Sequence, residues 1–266
     1  MSAPPVAGVG APGRARITAR TLRTDRYWVE PTLTVAVLLA FVVYATVRAF
    51  MGRDYYAAPY ISPLYSPCLA TACVPGSGEL HLVGDWYRLS PALLVLVFPL
   101  GFRMTCYYYR KAYYRAFWAS PRACAVPEPR AGYSGETRFP LILQNFHRYF
   151  FYVGLIFNVI LTWDAILGFR NGEGEWGHMG LGTLVLLTNA VLLWLYSLSC
   201  HSCRHAVGGR LKHFSKHPLR YKAWTFVSRL NPRHMQYAWI SLFGVALTDL
   251  YVYLVASGAI TDLRFF

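Results

Sequence analysis

The sequence predicts an all-α integral membrane protein. It would be a bundle of five transmembrane helices with the N-terminus cytoplasmic and the C-terminus outside. Three observations carry this expectation. Of 266 residues, 55% are hydrophobic and only 14% are charged. Five apolar runs approach the ~20 helical residues that cross a bilayer core. They are apolar all round, whereas a helix lining a soluble core shows one apolar stripe. Lys and Arg also concentrate in alternate connecting segments, the mark of cytoplasmic loops.

The elements follow in order. Residues 1–26 form a basic tail rich in Pro, Gly, Ala and Arg, without the apolar core or cleavage site of a signal peptide. The tail is expected to be disordered. The anchor domain, 27–260, starts with a span at about 31–51, "PTLTVAVLLAFVVYATVRAF". The second span, about 90–110, holds "PALLVLVFPLGF" and runs on into "RMTCYYY". The third, 147–169, holds "YFFYVGLIFNVILTWDAILGF", and the fourth, 179–203, holds "GLGTLVLLTNAVLLWLYSL". The fifth, 235–258, holds most of "YAWISLFGVALTDLYVYLVASGAI", and 261–266 is a short tail.

With the N-terminus inside, segments 1–30, 103–148 and 201–234 are cytoplasmic and carry 21 of the 26 Lys and Arg. The net charge of +14 is then the inside-positive pattern, with some attraction for anionic lipid or a cytoplasmic partner. A nucleic-acid surface would instead need a soluble basic face interleaved with exposed aromatics. The basic stretch "GGRLKHFSKHPLRYKAW" suits docking onto an acidic soluble partner, or is solvated charge at the lipid surface. His213 and His217 within it are expected to be exposed.

Two of the six cysteines, Cys68 and Cys73, fall in the long outer loop. A disulfide there fits an oxidising exterior, and two unpaired loop thiols are the alternative. Cys106, Cys124, Cys200 and Cys203 fall inside, where thiols stay reduced or bind metal. Hairpin topology returns the inner ends of spans two to five to one depth. Span two ends at Cys106, span three begins at His147, span four ends in "SCHSCRHA", and span five follows His234. Asn189, Tyr196, Cys200 and Cys203 share one helical stripe, and His201 and His205 lie beside it. A polar stripe in a membrane helix faces the bundle. Arg103, three residues before Cys106, shares that thiol's face and either enters the bundle or snorkels to the headgroups.

Two Cys with two His admit zinc or a Rieske-like [2Fe–2S] centre. A single b-haem between His147 and His201, His205 or His234 is the competitor. For any one residue a packing role is the simpler reading, and the gathering at one depth favours a joint site. The tyrosines of "YYYRKAYYRAFW" form an interfacial aromatic belt or wall a pocket. Asp164 and Asp249, in the outer halves of spans three and five, mark a proton path or polar contacts between helices.

At these motifs the chain resembles a known family. "RMTCYYYRKAYYRAFW", "GETRFPLILQNFHRYFFY", "SCHSCRHAVGG" and "LNPRHMQYAW" look like the five-helix, single-chain membrane anchor of actinobacterial succinate dehydrogenase (respiratory complex II). The likeness covers roughly 25–260. It implies a multi-pass protein of the plasma membrane that holds the flavoprotein and iron–sulfur subunits, and is compatible with a higher oligomer. The chain alone would do no substrate chemistry; electrons would pass through it to a quinone, menaquinone by the resemblance. The family is associated with a membrane-embedded Rieske-type [2Fe–2S] cluster. Carried over, Cys106, His147, His234 and one of Cys200 or Cys203 would be ligands, with His201 and His205 as alternates. Arg103, Tyr107, Arg148 and Trp224 are candidates to orient the quinone ring. A haem-binding anchor, a cofactor-free anchor and a transporter are the rival functions. A transporter would show internal repeats, and none is evident among the spans.

Overall fold

The computed structural model describes residues 23–71, 73–77, 82–84, 86–124, 126, 137–139, 141–209 and 211–266. The tail expected to be disordered lies, up to residue 22, outside the described residues. The described residues are mainly helical, with one small β-hairpin and connecting loops. The helices are α1 (Val29–Met51), α2 (Ala92–Val95), α3 (Val97–Thr105), α4 (Tyr107–Phe117), α5 (His147–Leu167), α6 (Leu181–Leu198), α7 (His201–Gly208), α8 (Pro218–Leu230) and α9 (His234–Ala256).

Among the described residues four stretches are long and apolar enough to cross a membrane: Val29–Met51, Leu141–Leu167, Leu181–Leu198 and Pro218–Ala256. A fifth crossing requires α2–α3 and α4 together, and these are bent by 75° at Cys106. The second span therefore differs from the straight run over 90–110. It stops at Thr105 because Cys106 takes an extended conformation, ψ 131°. The fourth span also ends early, at Leu198 rather than 203. Cys200, at ψ 145°, turns the chain into α7. The fifth begins earlier than expected, because Pro218, with its pre-set φ, opens α8, and a 3₁₀ turn at Asn231–Arg233 leads directly into α9.

α6 sits between α5 and α9, α3 packs on α5, and α4 bridges α1 and α9. Along α1 only Arg48 and Ala49 are buried. Its exposed Leu39, Val43 and Phe50 suit lipid as solvent. One core cluster gathers Phe102, Cys106, Tyr109, Phe151, Tyr196, Cys200, Cys203 and Leu242 at the end of the bundle that carries the basic segments.

The opposite end is a cap. Strands β1 (Tyr56–Ala57) and β2 (Tyr60–Ile61) pair antiparallel. Cys68 and Cys73 are joined by a disulfide, the first of the two alternatives above. Asp249 is fully buried and bound by the Arg48 guanidinium at 2.8 Å, the Tyr44 hydroxyl at 2.6 Å and the Ser62 hydroxyl at 2.5 Å. Asp164 accepts a hydrogen bond from Ser66. Both carboxylates thus serve contacts between helices and the cap. Asp262 in the C-terminal tail takes bonds from Tyr60, Tyr251 and the Gly182 amide. A Cβ on Gly182 would lie 2.5 Å from the Tyr60 ring, so only glycine lets the start of α6 pass this close.

Candidate functional site

Each donor at the basic end sits at a helix junction. Cys106 is the residue between α3 and α4, and Cys200 the residue before α7. His147 opens α5 and His234 opens α9. The Cys106 sulfur lies 3.3 Å from His234 Nε2, and the Cys200 sulfur 3.1 Å from His147 Nε2. Cys106, Cys200 and His234 are buried, and His147 is half-buried.

The second nitrogen of each ring is fixed by a hydroxyl. Thr105 Oγ1 donates to the Gly101 carbonyl at 2.6 Å, so at 3.0 Å from His147 Nδ1 it accepts the ring proton. Ser199 Oγ donates to the Tyr196 carbonyl at 3.0 Å and accepts from His234 Nδ1 at 2.8 Å. This pattern assigns both imidazoles the Nδ1–H tautomer and leaves both Nε2 lone pairs facing sulfur. A neutral imidazole held at its far nitrogen is the state in which histidine ligates a metal. Aromatic rings hold the imidazoles flat: Phe102 stacks on His147 at 5.2 Å and Tyr196 on His234 at 5.1 Å.

Both sulfurs lie at helix N-termini, where unsatisfied amides favour negative charge. The Ser202 amide donates to the Cys200 sulfur at 3.4 Å. Among the described residues no three His, Cys, Asp or Glu donors are grouped tightly enough for one ion. The arrangement is two pairs. A Rieske-type [2Fe–2S] cluster would take two Cys and two His, and Cys106, Cys200, His147 and His234 would be the residues to hold it. Donor chemistry, tautomers and burial all fit such a group.

The remaining candidates separate. Cys203 is buried in α7 but belongs to neither pair. The stripe that joined it to Cys200 does not exist, because the helix breaks between Leu198 and His201. His201 and His205 are exposed and line a recess of about 490 Å³ with Arg148, Arg204 and Trp224. Arg148 and His201 are chain neighbours of His147 and Cys200, so the recess borders the donor set. Arg103 enters the bundle rather than snorkelling. It donates to the Tyr109 hydroxyl, the Ala238 carbonyl and Ser241, and lies 4.7 Å from the Tyr196 ring centre. Tyr107 is 62% exposed and lines a second recess of about 520 Å³ with Arg110, Lys111 and Tyr114. His213 and His217 are exposed, as expected. Thr105 and Ser199 escaped the sequence reading, although each directly precedes a donor cysteine.

A family model described as actinobacterial succinate dehydrogenase subunit SdhC matches residues 29–258. No curated protein matches the chain. A solved structure from Mycobacterium smegmatis, described as the Sdh1 complex in the apo form, contains a chain 58% identical to this one. The match covers 97% of this chain and 99% of that one, with a TM-score of 0.87. A helical bundle with donor pairs at its basic end, matched over most of its length, belongs to the family of actinobacterial succinate dehydrogenase SdhC subunits and is a membrane subunit of that enzyme.

Proposed function

We propose that this chain relays electrons within a succinate dehydrogenase complex, from the partner iron–sulfur subunit to a quinone, through a [2Fe–2S] cluster held by Cys106, His147, Cys200 and His234. One observation carries the reading: two thiol–imidazole pairs, from four helix junctions, with both Nε2 lone pairs turned to sulfur. When bound, such a cluster supplies one-electron transfer at a potential raised by its histidine ligands.

The chain's own groups do the rest. Thr105 and Ser199 hold the ring protons on Nδ1 and leave both Nε2 lone pairs free to ligate. Phe102 and Tyr196 cover the rings and exclude water. The recess beside α7 is the quinone site in this reading: Trp224 offers an aromatic face, and the Arg148 and Arg204 guanidiniums can donate to a ring carbonyl. His201 and His205, exposed at its rim, are placed to pass on the two protons that quinone reduction consumes. Arg103, bonded inside the bundle, braces α3 against α9 instead of meeting the quinone. The charge distribution supports a cytoplasmic basic end, N-terminus in and C-terminus out, with this face meeting the soluble subunits.

The test is iron, acid-labile sulfide and low-temperature EPR on the purified complex. Iron and sulfide in excess of the soluble subunits' own clusters, with a signal of low average g, are expected. No excess would end the cluster reading. A reduced b-type band in visible light would transfer the role to a haem on His147 and His234, leaving both thiols without a task.

A further inference from the structure

The donor set is built twice from one local pattern. "FRMTCYYYR" (102–110) and "YSLSCHSCR" (196–204) share the form aromatic-x-x-hydroxyl-Cys-x-x-x-Arg. The structure treats them alike. Cys106 has φ −61°, ψ 131°, and Cys200 has φ −67°, ψ 145°. The Cys106 amide donates to the residue-103 carbonyl at 3.1 Å, and the Cys200 amide to the residue-197 carbonyl at 3.2 Å. The arginine four residues on closes the next turn in both, at 2.9 and 3.1 Å. Each copy stacks its aromatic ring and sets its hydroxyl on one histidine, and turns its sulfur to the other. The likeness is local, nine residues long, and does not extend to the spans themselves. It lies at the ends of spans two and four, where comparing whole apolar runs does not reveal it.

The two copies differ at the stacking ring. Phe102 in one is Tyr196 in the other, and the difference is a hydroxyl. Tyr196 is 1% exposed and its hydroxyl has no hydrogen-bond partner among the described residues. An unpaired phenol in a bundle core is costly unless an acceptor meets it. Neighbouring polar groups are committed elsewhere: Tyr109 donates to the Ala238 carbonyl at 2.6 Å, and Arg103 to Tyr109, Ala238 and Ser241. The Tyr196 ring stacks on His234, whose Nε2 lies 3.3 Å from the Cys106 sulfur.

We propose that the Tyr196 hydroxyl donates a hydrogen bond to a sulfur of the iron–sulfur group, and so breaks the near two-fold equivalence of the site and raises its reduction potential. The inference rests on the cluster reading above. A hydrogen bond to sulfur stabilises the more negative, reduced form over the oxidised one. Phe102, with no hydroxyl, gives no such bond on the other side.

The experiment is an EPR-monitored redox titration of the intact complex with Tyr196→Phe, a change that makes the two copies match at this position. At the wild-type midpoint, the reduced-to-oxidised ratio of this centre is expected to fall about tenfold, equivalent to about 59 mV for one electron, with iron and sulfide content unchanged. An unshifted midpoint overturns the proposal. So does loss of iron from an assembled complex, which would make Tyr196 a scaffold. If Y196F does not assemble, 3-fluorotyrosine at 196 keeps the ring and strengthens the donor; a rise in potential is expected, and no rise overturns the proposal. Absence of the low-average-g signal from wild-type complex removes the cluster reading and this inference together; its presence with an unshifted Y196F removes this inference alone.

Discussion

The two ends of the bundle handle buried polar groups in opposite ways. At the cap end, Asp249 gathers Arg48, Tyr44 and Ser62 around one carboxylate and leaves it no unmet demand. Arg48 fills its remaining donors with the carbonyls of residues 53 and 54, and Tyr253 covers its plane at 4.4 Å. At the basic end, thiols face imidazoles in two pairs, and the Tyr196 hydroxyl has no hydrogen-bond partner among the described residues. A closed network of charge and hydrogen bonds is what a structural clamp needs. Open donors held in fixed tautomers are what a bound group needs. The contrast separates what holds the bundle together from what it does.

The sharpest way to break the comparison is to remove a sulfur. Cys106→Ser or Cys200→Ser is expected to abolish iron in excess of the soluble subunits. Succinate–quinone activity would fall by more than the roughly 100-fold typical of second-shell losses, while succinate oxidation by a soluble dye survives. Metal analysis and parallel assays check it. Next comes the clamp. Asp249→Ala leaves Arg48 buried and unpaired, at a cost of about 3–5 kcal/mol. Heat inactivation of the solubilised complex should accelerate, with iron content per intact complex unchanged. Such a variant that lost iron first would show the two ends to be one unit. A smaller effect is expected from Thr105→Val or Ser199→Ala, each of which frees one imidazole. Resistance of the centre to a chelator should fall by about 10–100-fold. Cys203→Ala should do least: about 1 kcal/mol of packing, with iron retained. Iron loss there would restore Cys203 as a ligand.

Much of this was legible in the sequence, for physical reasons. Apolar runs of membrane length and the Lys/Arg pattern depend on composition, so the spans and the gathering of Cys106, His147, His234 and one of Cys200 or Cys203 at one depth could be read directly. The bends could not. Neither "MTCYY" nor "LSCHS" contains Gly or Pro, so nothing local announces that α3 and α6 stop. Packing of α4 on α1 and α9, and of α7 on α8, turns the chain there. Extending the helix through Cys200 therefore placed Cys203 on a stripe that the fold does not form. The Arg48–Asp249 clamp was hidden too, because its members lie 201 positions apart and no periodicity links them. Thr105 and Ser199 carried a signal, since both precede a donor cysteine, and it becomes visible only when the two segments are aligned.

Along the chain the donors alternate, Cys106, His147, Cys200, His234, and the pairs nest, with partners 128 residues apart enclosing partners 53 apart. The α5–α6 hairpin supplies the inner pair, His147 and Cys200, whereas the outer pair joins the end of α3 to the start of α9. A nascent chain stalled after three crossings therefore presents neither pair, one stalled after four presents the inner pair alone, and the set of four is complete only with His234 at the start of α9. If these four residues hold a cluster as proposed, an anchor truncated before His234 would stay unloaded, and loading would serve as a late checkpoint on insertion.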